Sequence, residues 1–114
     1  MINKGARISL VTKKDKVKYD ELSSFSIGVM FENRSAEVIE FNISKTSVFI
    51  NNERSFAWNM AVQNGTLFNF KLREGKSRKI EWPMGNALFS NVGKYNLDLT
   101  YNSVLVDKKT IEVT

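Results

Sequence analysis

The chain has 114 residues, 42% of them hydrophobic, and 17 basic against 12 acidic residues give it a net charge of +5. That apolar share, with eight Phe, two Trp and three Tyr, excludes a disordered chain, and the length suits one domain over residues 1–114 with a real core. Cys and His are both absent, which excludes disulfides and thiolate metal sites and removes the commonest general base and zinc ligand.

Apolar alternation at the strand period dominates the chain. Ile8 and Leu10 mark a first strand over Ala6 to Thr12, followed by the lysine-rich turn KKDK and the stretch VKYDELSS. Phe25, Ile27, Val29 and Phe31 alternate with Ser26, Gly28, Met30 and Glu32 in a second strand. It ends at Asn33-Arg34-Ser35, a turn composition. Ile39, Phe41 and Ile43 make the third. Ser47 to Ile50 and Ser55 to Trp58 flank Asn51-Asn52-Glu53-Arg54, a hairpin with a four-residue loop.

Asn64-Gly65 is a turn pair, and Thr66 to Leu72 follows with Phe68, Phe70 and Leu72 in one phase. Arg73-Glu74-Gly75-Lys76 turns the chain into a short strand with Arg78, Ile80 and Trp82, which stops at Pro83, the only proline. PMGNALFSNV, residues 83–92, is the longest irregular connection, with a short helical turn expected near Ala87-Leu88-Phe89. Tyr95 to Tyr101 and Val104 to Val113 are the last strands, joined at Asn102-Ser103. No window of about 12 residues carries a helical apolar period.

Seven to nine short strands at intervals of about ten residues predict an all-β fold, an antiparallel sandwich or barrel. Gly93-Lys94-Tyr95, followed by Leu97 and Leu99, favours the immunoglobulin-like β-sandwich. In that fold a Tyr at the start of a late strand bonds its hydroxyl back to the backbone at a sheet crossing. The simpler alternative makes Tyr95 the first aromatic of an amphipathic strand.

The basic residues gather at Lys13, Lys14, Lys16 and Lys18, and again at Lys71, Arg73, Lys76, Arg78 and Lys79. Such clusters can hold an acidic partner or a phosphate backbone. Here the aromatics fall on the apolar phase of the strands instead of interleaving with the lysines, so solvated strand faces are the expectation and nucleic acid is not.

Catalysis without His or Cys would need paired carboxylates, a Ser-Lys pair or a Tyr. The acidic residues are scattered, no nucleophile or phosphate-loop motif occurs, and an enzyme is not expected. No calcium-loop spacing occurs, so no metal or other cofactor is expected. Asn33, Asn42 and Asn64 each start a glycosylation-type triplet, a chance match in so asparagine-rich a chain. No run reaches the roughly 18 apolar residues of a membrane span. MINKGARISL shows no leader features, which leaves open a cytoplasmic protein or an exported one whose leader has been removed.

Binding through loops remains. The candidate contact residues are Asn52, Glu53 and Arg54 on the hairpin tip, beside Phe56, and Met84, Asn86 and Leu88 in the long connection, with the short turn Asn33 to Glu37 as a third candidate segment. Against this, folding back into the core is the commoner fate of isolated loop apolar residues such as Phe56, Leu88 and Phe89, and Trp58 and Trp82 are expected inside as large plugs.

In chain order the features are SFSIGVMFENRSAEVIEFNIS, VFINNERSFAWNM, KLREGKSRKIEW and NVGKYNLDLTY. This series resembles the bacterial intracellular proteinase inhibitor family over roughly residues 25–101. The matching positions are Asn33, Ser35, Ile39, Phe41, Trp58, Leu72, Gly75, Ser77, Trp82, Gly93 and Tyr95, with Val92 where the family has Pro. The resemblance implies an immunoglobulin-like sandwich and protease inhibition, and carries over no inhibitory-loop residue.

The expectation is therefore a non-enzymatic module that binds another protein, one of acidic character, through its loops, as in an inhibitor of a protease or toxin. An alternative is an assembly module pairing through an edge strand, Ala6 to Thr12 or Val104 to Val113. A third is a carbohydrate-binding module, which would need Trp58 or Trp82 exposed in a groove.

Overall fold

The computed structural model describes residues 5–63 and 69–114, and over these the chain is mostly β. The expected strand over Thr66 to Leu72 therefore lies partly outside the described residues, as does the Asn64 triplet. Strands β1 (Ala6–Thr12) and β3 (Ile27–Asn33) pair antiparallel, with Ala6 opposite Asn33 and Thr12 opposite Ile27. Strand β8 (Ser77–Trp82) pairs with the other side of β3, closing a sheet of order β1-β3-β8.

The second sheet is built from β2 (Lys16–Val17), β5 (Thr46–Ile50), β6 (Glu53–Arg54), β9 (Gly93–Tyr101) and β10 (Val104–Val113). Its order is β2-β10-β9-β5-β6. Strands β4 (Ile39–Asn42) and β7 (Asn69–Leu72) form a separate pair. Ten strands are thus described, against seven to nine expected, and β2 and β6 are only two residues long. Pieces that short carry no alternation to read. The pairing of β2 with β10 is parallel, which needs no tight crossover because the two strands come from opposite ends of the chain.

The inward phase of each strand fills the core. Ile8, Leu10, Ile27, Val29, Phe31, Val48, Leu97, Leu99, Ile111 and Val113 are all buried. Strand β3 is covered on both faces, and a Cβ at Gly28 would run into the Ile80 carbonyl oxygen and Glu81, so this close approach requires glycine. Phe31 centres an aromatic cluster, 5.1 Å from Phe41, 5.1 Å from Phe70 and 6.3 Å from Tyr101 between ring centroids. These are the tilted and edge-on contacts that favour aromatic pairs beyond their buried area.

Two segments depart from the sequence expectation. The hairpin after β5 has a two-residue turn, not a four-residue loop: Ile50 faces Glu53, and Asn51 and Asn52 take φ of +50° and +71°. Asparagine tolerates that left-handed conformation, which matches the twist of the flanking strands. The expected strand over Ser55 to Trp58 is instead the start of helix α1 (Phe56–Gln63). Ser55 caps it, its Oγ accepting from the Trp58 amide at 3.2 Å. Ala57, Trp58, Ala61 and Val62 form its inner face.

Asn33 is the buried polar hub of the fold. Its Nδ2 donates to the Glu37 carbonyl at 2.6 Å and to the Leu72 carbonyl at 2.8 Å, while Oδ1 accepts from the Ser35 amide and Oγ, both at 2.8 Å. It thereby ties the β3–β4 turn to β7. That burial also makes Asn33 unsuitable as a glycosylation acceptor in the folded chain. The side-chain oxygen of Asn42 is likewise engaged, accepting from Ser44 at the start of a 3₁₀ turn.

Tyr101 joins β9 to β4, its hydroxyl accepting from the Asn42 amide at 2.9 Å. Burial pushes its phenol above the ordinary value of 10.0, the Asn42 bond pulls it back, and Glu40 adds to the rise. The folded state therefore holds the neutral phenol more firmly than the unfolded chain does. That contribution is complete below the unfolded value of 10.0 and is lost as pH climbs through the raised folded one. Urea midpoints for the native chain and Tyr101→Phe should differ by about 1 kcal/mol equivalent near neutrality. The gap should narrow once pH passes 10.0. A gap that stayed constant into strong alkali would contradict this coupling.

Candidate functional site

Both loop segments nominated from the sequence meet across one open groove of about 620 Å³. One wall is the β5–β6 turn and the first turn of α1, with Ile50, Asn51, Glu53, Arg54, Ser55, Phe56 and Ala57. The other is Ala87 and Leu88 of the short helix α2 (Gly85–Leu88) together with Tyr95 of β9.

Each wall is held by identifiable bonds. The β5–β6 turn is pinned to β9: the Asn51 amide donates to the Asn96 carbonyl at 2.8 Å, and the Asn96 amide donates to Asn51 Oδ1 at 2.9 Å. The Arg54 guanidinium lies 5.8 Å from the Phe49 ring and donates to Ser47 Oγ at 3.1 Å. Helix α2 is anchored by the Gly85 amide donating to the Phe25 carbonyl at 3.1 Å.

The Tyr95 hydroxyl donates to the Asn91 carbonyl at 2.8 Å and accepts from the Asn91 amide at 3.2 Å. Its ring packs 4.8 Å from Phe89. This is the corner expected from Gly93-Lys94-Tyr95, and Gly93 enters it at φ +152°.

The six sequence candidates divide. Glu53 and Arg54 are exposed and line the groove. Asn52 is exposed but lines a separate depression of about 260 Å³ with Asn96, Asp98 and Lys108. Asn86 is exposed and lines neither. Met84 and Leu88 are core residues, each only 9% exposed, because α2 turns its apolar side inward beneath Phe25 and Leu22. Leu88 contributes to the groove floor; Met84 does not reach it.

The most exposed apolar side chain of the groove is Phe56, at 75%, and Met60 one helical turn on is 47% exposed. Positions four apart share a helix face, so these two form one apolar ridge. The sequence signal was Ser55: a cap there aims Trp58 inward and leaves Phe56 and Met60 outward.

A carbohydrate-binding module would need Trp58 or Trp82 exposed in a groove. Trp58 is wholly buried, and half-buried Trp82 meets it edge-on at 5.3 Å. The two basic clusters converge at Lys13, Lys14 and Lys79 around a second cavity of about 490 Å³, where Glu21 and Glu81 balance them. Among the described residues no group of three or more acidic side chains could hold a metal ion, and no helix is long and apolar enough to cross a membrane.

No protein-family model matches the chain, and neither does any curated protein. Solved structures do resemble it. A CARDB domain from Pyrococcus furiosus, in complex with di-metal ions, superposes at TM-score 0.50 and 14% identity over 95% of this chain and 91% of its own. A β-glucosidase from Erythrobacter marinus superposes at TM-score 0.54 and 10% identity over 96% of this chain. An alkylpurine DNA glycosylase from Pseudomonas fluorescens, bound to DNA with an abasic-site analogue, gives TM-score 0.53 and 10% identity over 96% of this chain. The chain spans 15% of that glucosidase and 30% of the glycosylase. At such identities the likeness is one of fold alone. It agrees with an immunoglobulin-like fold and shows no proteinase-inhibitor family.

Proposed function

We propose that this chain is an immunoglobulin-like β-sandwich serving as a non-enzymatic module that binds another protein at the groove between the β5–β6 turn and α2. The observation that carries the reading is the Phe56–Met60 ridge beside that groove: two large apolar side chains held in solvent by a capped helix. Aromatic side chains and Met are enriched where proteins meet, and Glu53 and Arg54 supply a polar rim. The narrower reading, an inhibitor of a protease or toxin, draws on the resemblance over residues 25–101.

Affinity capture with three baits tests the site: the native domain, Phe56→Asp combined with Met60→Asp, and the remote control Lys18→Glu. Proteins captured by the native domain should drop about tenfold or more with the ridge variant and persist with the control. Equal recovery from all three would overturn the groove as the binding site. A panel of serine and cysteine proteases tests the inhibitor reading separately, and failure there leaves the groove proposal standing.

A further inference from the structure

We infer that the outer edge of β8 receives an extended, acidic segment of a partner protein as an added strand of the β1-β3-β8 sheet. Among the described residues, the edges of β1, β10 and β6 are partly covered or short. Strands β1 and β10 face each other across a seam bridged by the Leu10 amide donating to Asp107 Oδ2 at 2.7 Å. The end of β10 is covered by β2, with the Glu112 amide on the Asp15 carbonyl at 2.8 Å and the Thr114 amide on the Val17 carbonyl at 2.9 Å. These contacts touch both edges that the sequence nominated, Ala6 to Thr12 at Leu10 and Val104 to Val113 at Asp107 and its last residues. Strand β6 has two residues and runs straight into α1.

Strand β8 differs. It has six residues, and among the described residues its ladder is to β3 alone. Ser77, Arg78, Lys79 and Glu81 are exposed, and Ile80 and Trp82 half-buried. About half of its backbone groups point away from β3 and can pair with an incoming strand. Pro83 lacks an N–H and ends that register just after Trp82.

Charge selects the occupant. Arg73, Lys76, Arg78 and Lys79 crowd the strand and the turn before it, against Glu74 and Glu81. Glu81 is engaged by Lys79 at 3.7 Å, whereas Arg73 and Lys76 have no ion pair among the described residues. The Arg78 guanidinium is held 5.0 Å from the Phe70 ring, and a stacked guanidinium still offers its donor edge to a carboxylate. A second copy of the chain would set basic side chains opposite basic ones, which destabilises a strand pair; carboxylates at alternate positions reverse the sign. Added strands gain affinity from the backbone and selectivity from alternate side chains.

A synthetic peptide alternating glutamate with threonine is the probe, titrated into the isotopically labelled domain at low salt. It should shift and protect the β8 amides. Its affinity should fall about tenfold or more when alternate peptide amides are N-methylated, which removes the ladder and keeps the charge. The double variant Arg78→Glu, Lys79→Glu should lose the peptide, and the N-methylated control stands even if that variant folds poorly. Equal binding of the methylated peptide, shifts confined to residues away from β8, or no binding would each overturn the inference. So would self-association through β8, or tighter binding of a single-stranded oligonucleotide at the same edge.

Discussion

Trp58→Ala is expected to destabilise the domain by about 4 kcal/mol, the scale seen when a large aromatic is removed from a core. Trp58 is fully buried, touches Trp82 at 5.3 Å, and its Nε1 donates to Thr46 Oγ1 at 3.0 Å. Thr46 Oγ1 in turn donates to the Ile43 carbonyl at 2.7 Å, so one indole anchors α1 to the 3₁₀ turn before β5. Small domains are stable by only about 5–15 kcal/mol, and this loss brings the chain close to unfolding near body temperature. Trp58→Phe keeps most of the bulk and removes the donor, so it should cost about 1–2 kcal/mol from the bond, plus a smaller packing loss. Urea unfolding followed by far-ultraviolet circular dichroism checks both. An alanine variant within about 1 kcal/mol of the native chain would mean that the indole is not the plug its burial makes it.

Asn33→Ala should cost about 3 kcal/mol, because it removes four hydrogen bonds made by a side chain only 1% exposed, two of them to the Glu37 and Leu72 carbonyls. The loss acts at long range. The Asn33 backbone also donates to the Lys76 carbonyl at 2.9 Å and accepts from the Gly75 amide at 2.8 Å, so the turn before β8 loosens with it. Asn33→Asp separates shape from bonding: it places a carboxylate against two carbonyl oxygens in a buried site. It should destabilise at least as much at neutral pH and recover part of the loss in acid, where protonation restores a donor. A full-strength Asn33→Asp variant at neutral pH would refute the assigned amide orientation. Backbone amide exchange at Glu37, Leu72 and Gly75 locates the effect.

Several elements were legible in the residues. The alternation of Ile8 with Leu10 and of Leu97 with Leu99 and Tyr101 led to strands with the right inward phase, because a period of two needs only a few residues to declare itself. Asn33-Arg34-Ser35 and Asn102-Ser103 were readable as turns, since their side chains bond locally or tolerate left-handed backbone. Helix α1 was missed because eight residues cover barely more than two turns, and its apolar positions also fit a strand. The Ser55 cap was the available clue.

The candidate site was half legible. Polarity marked the β5–β6 turn as exposed, and Glu53 and Arg54 are on the groove. For PMGNALFSNV, composition could not say which of Met84, Leu88 and Phe89 would be covered, since that depends on what the segment meets in space. It meets Leu22 and Phe25, so all three turn inward, while Phe56 stays out.

The information readable along the chain is local: which residues alternate, where the chain must turn, and which chemistries lack their side chains. Hydrophobic periodicity and turn propensity are properties of neighbours in the chain, and they do not require the rest of the molecule. Tertiary packing is what brings the turn after β5 and the helix before β9 to one groove, joins β1 to β10 at Leu10 and Asp107, and, among the described residues, pairs β8 with β3 alone. Those outcomes depend on which distant segments pack together, through contacts such as Asn51 with Asn96 and Leu10 with Asp107 that no local pattern encodes.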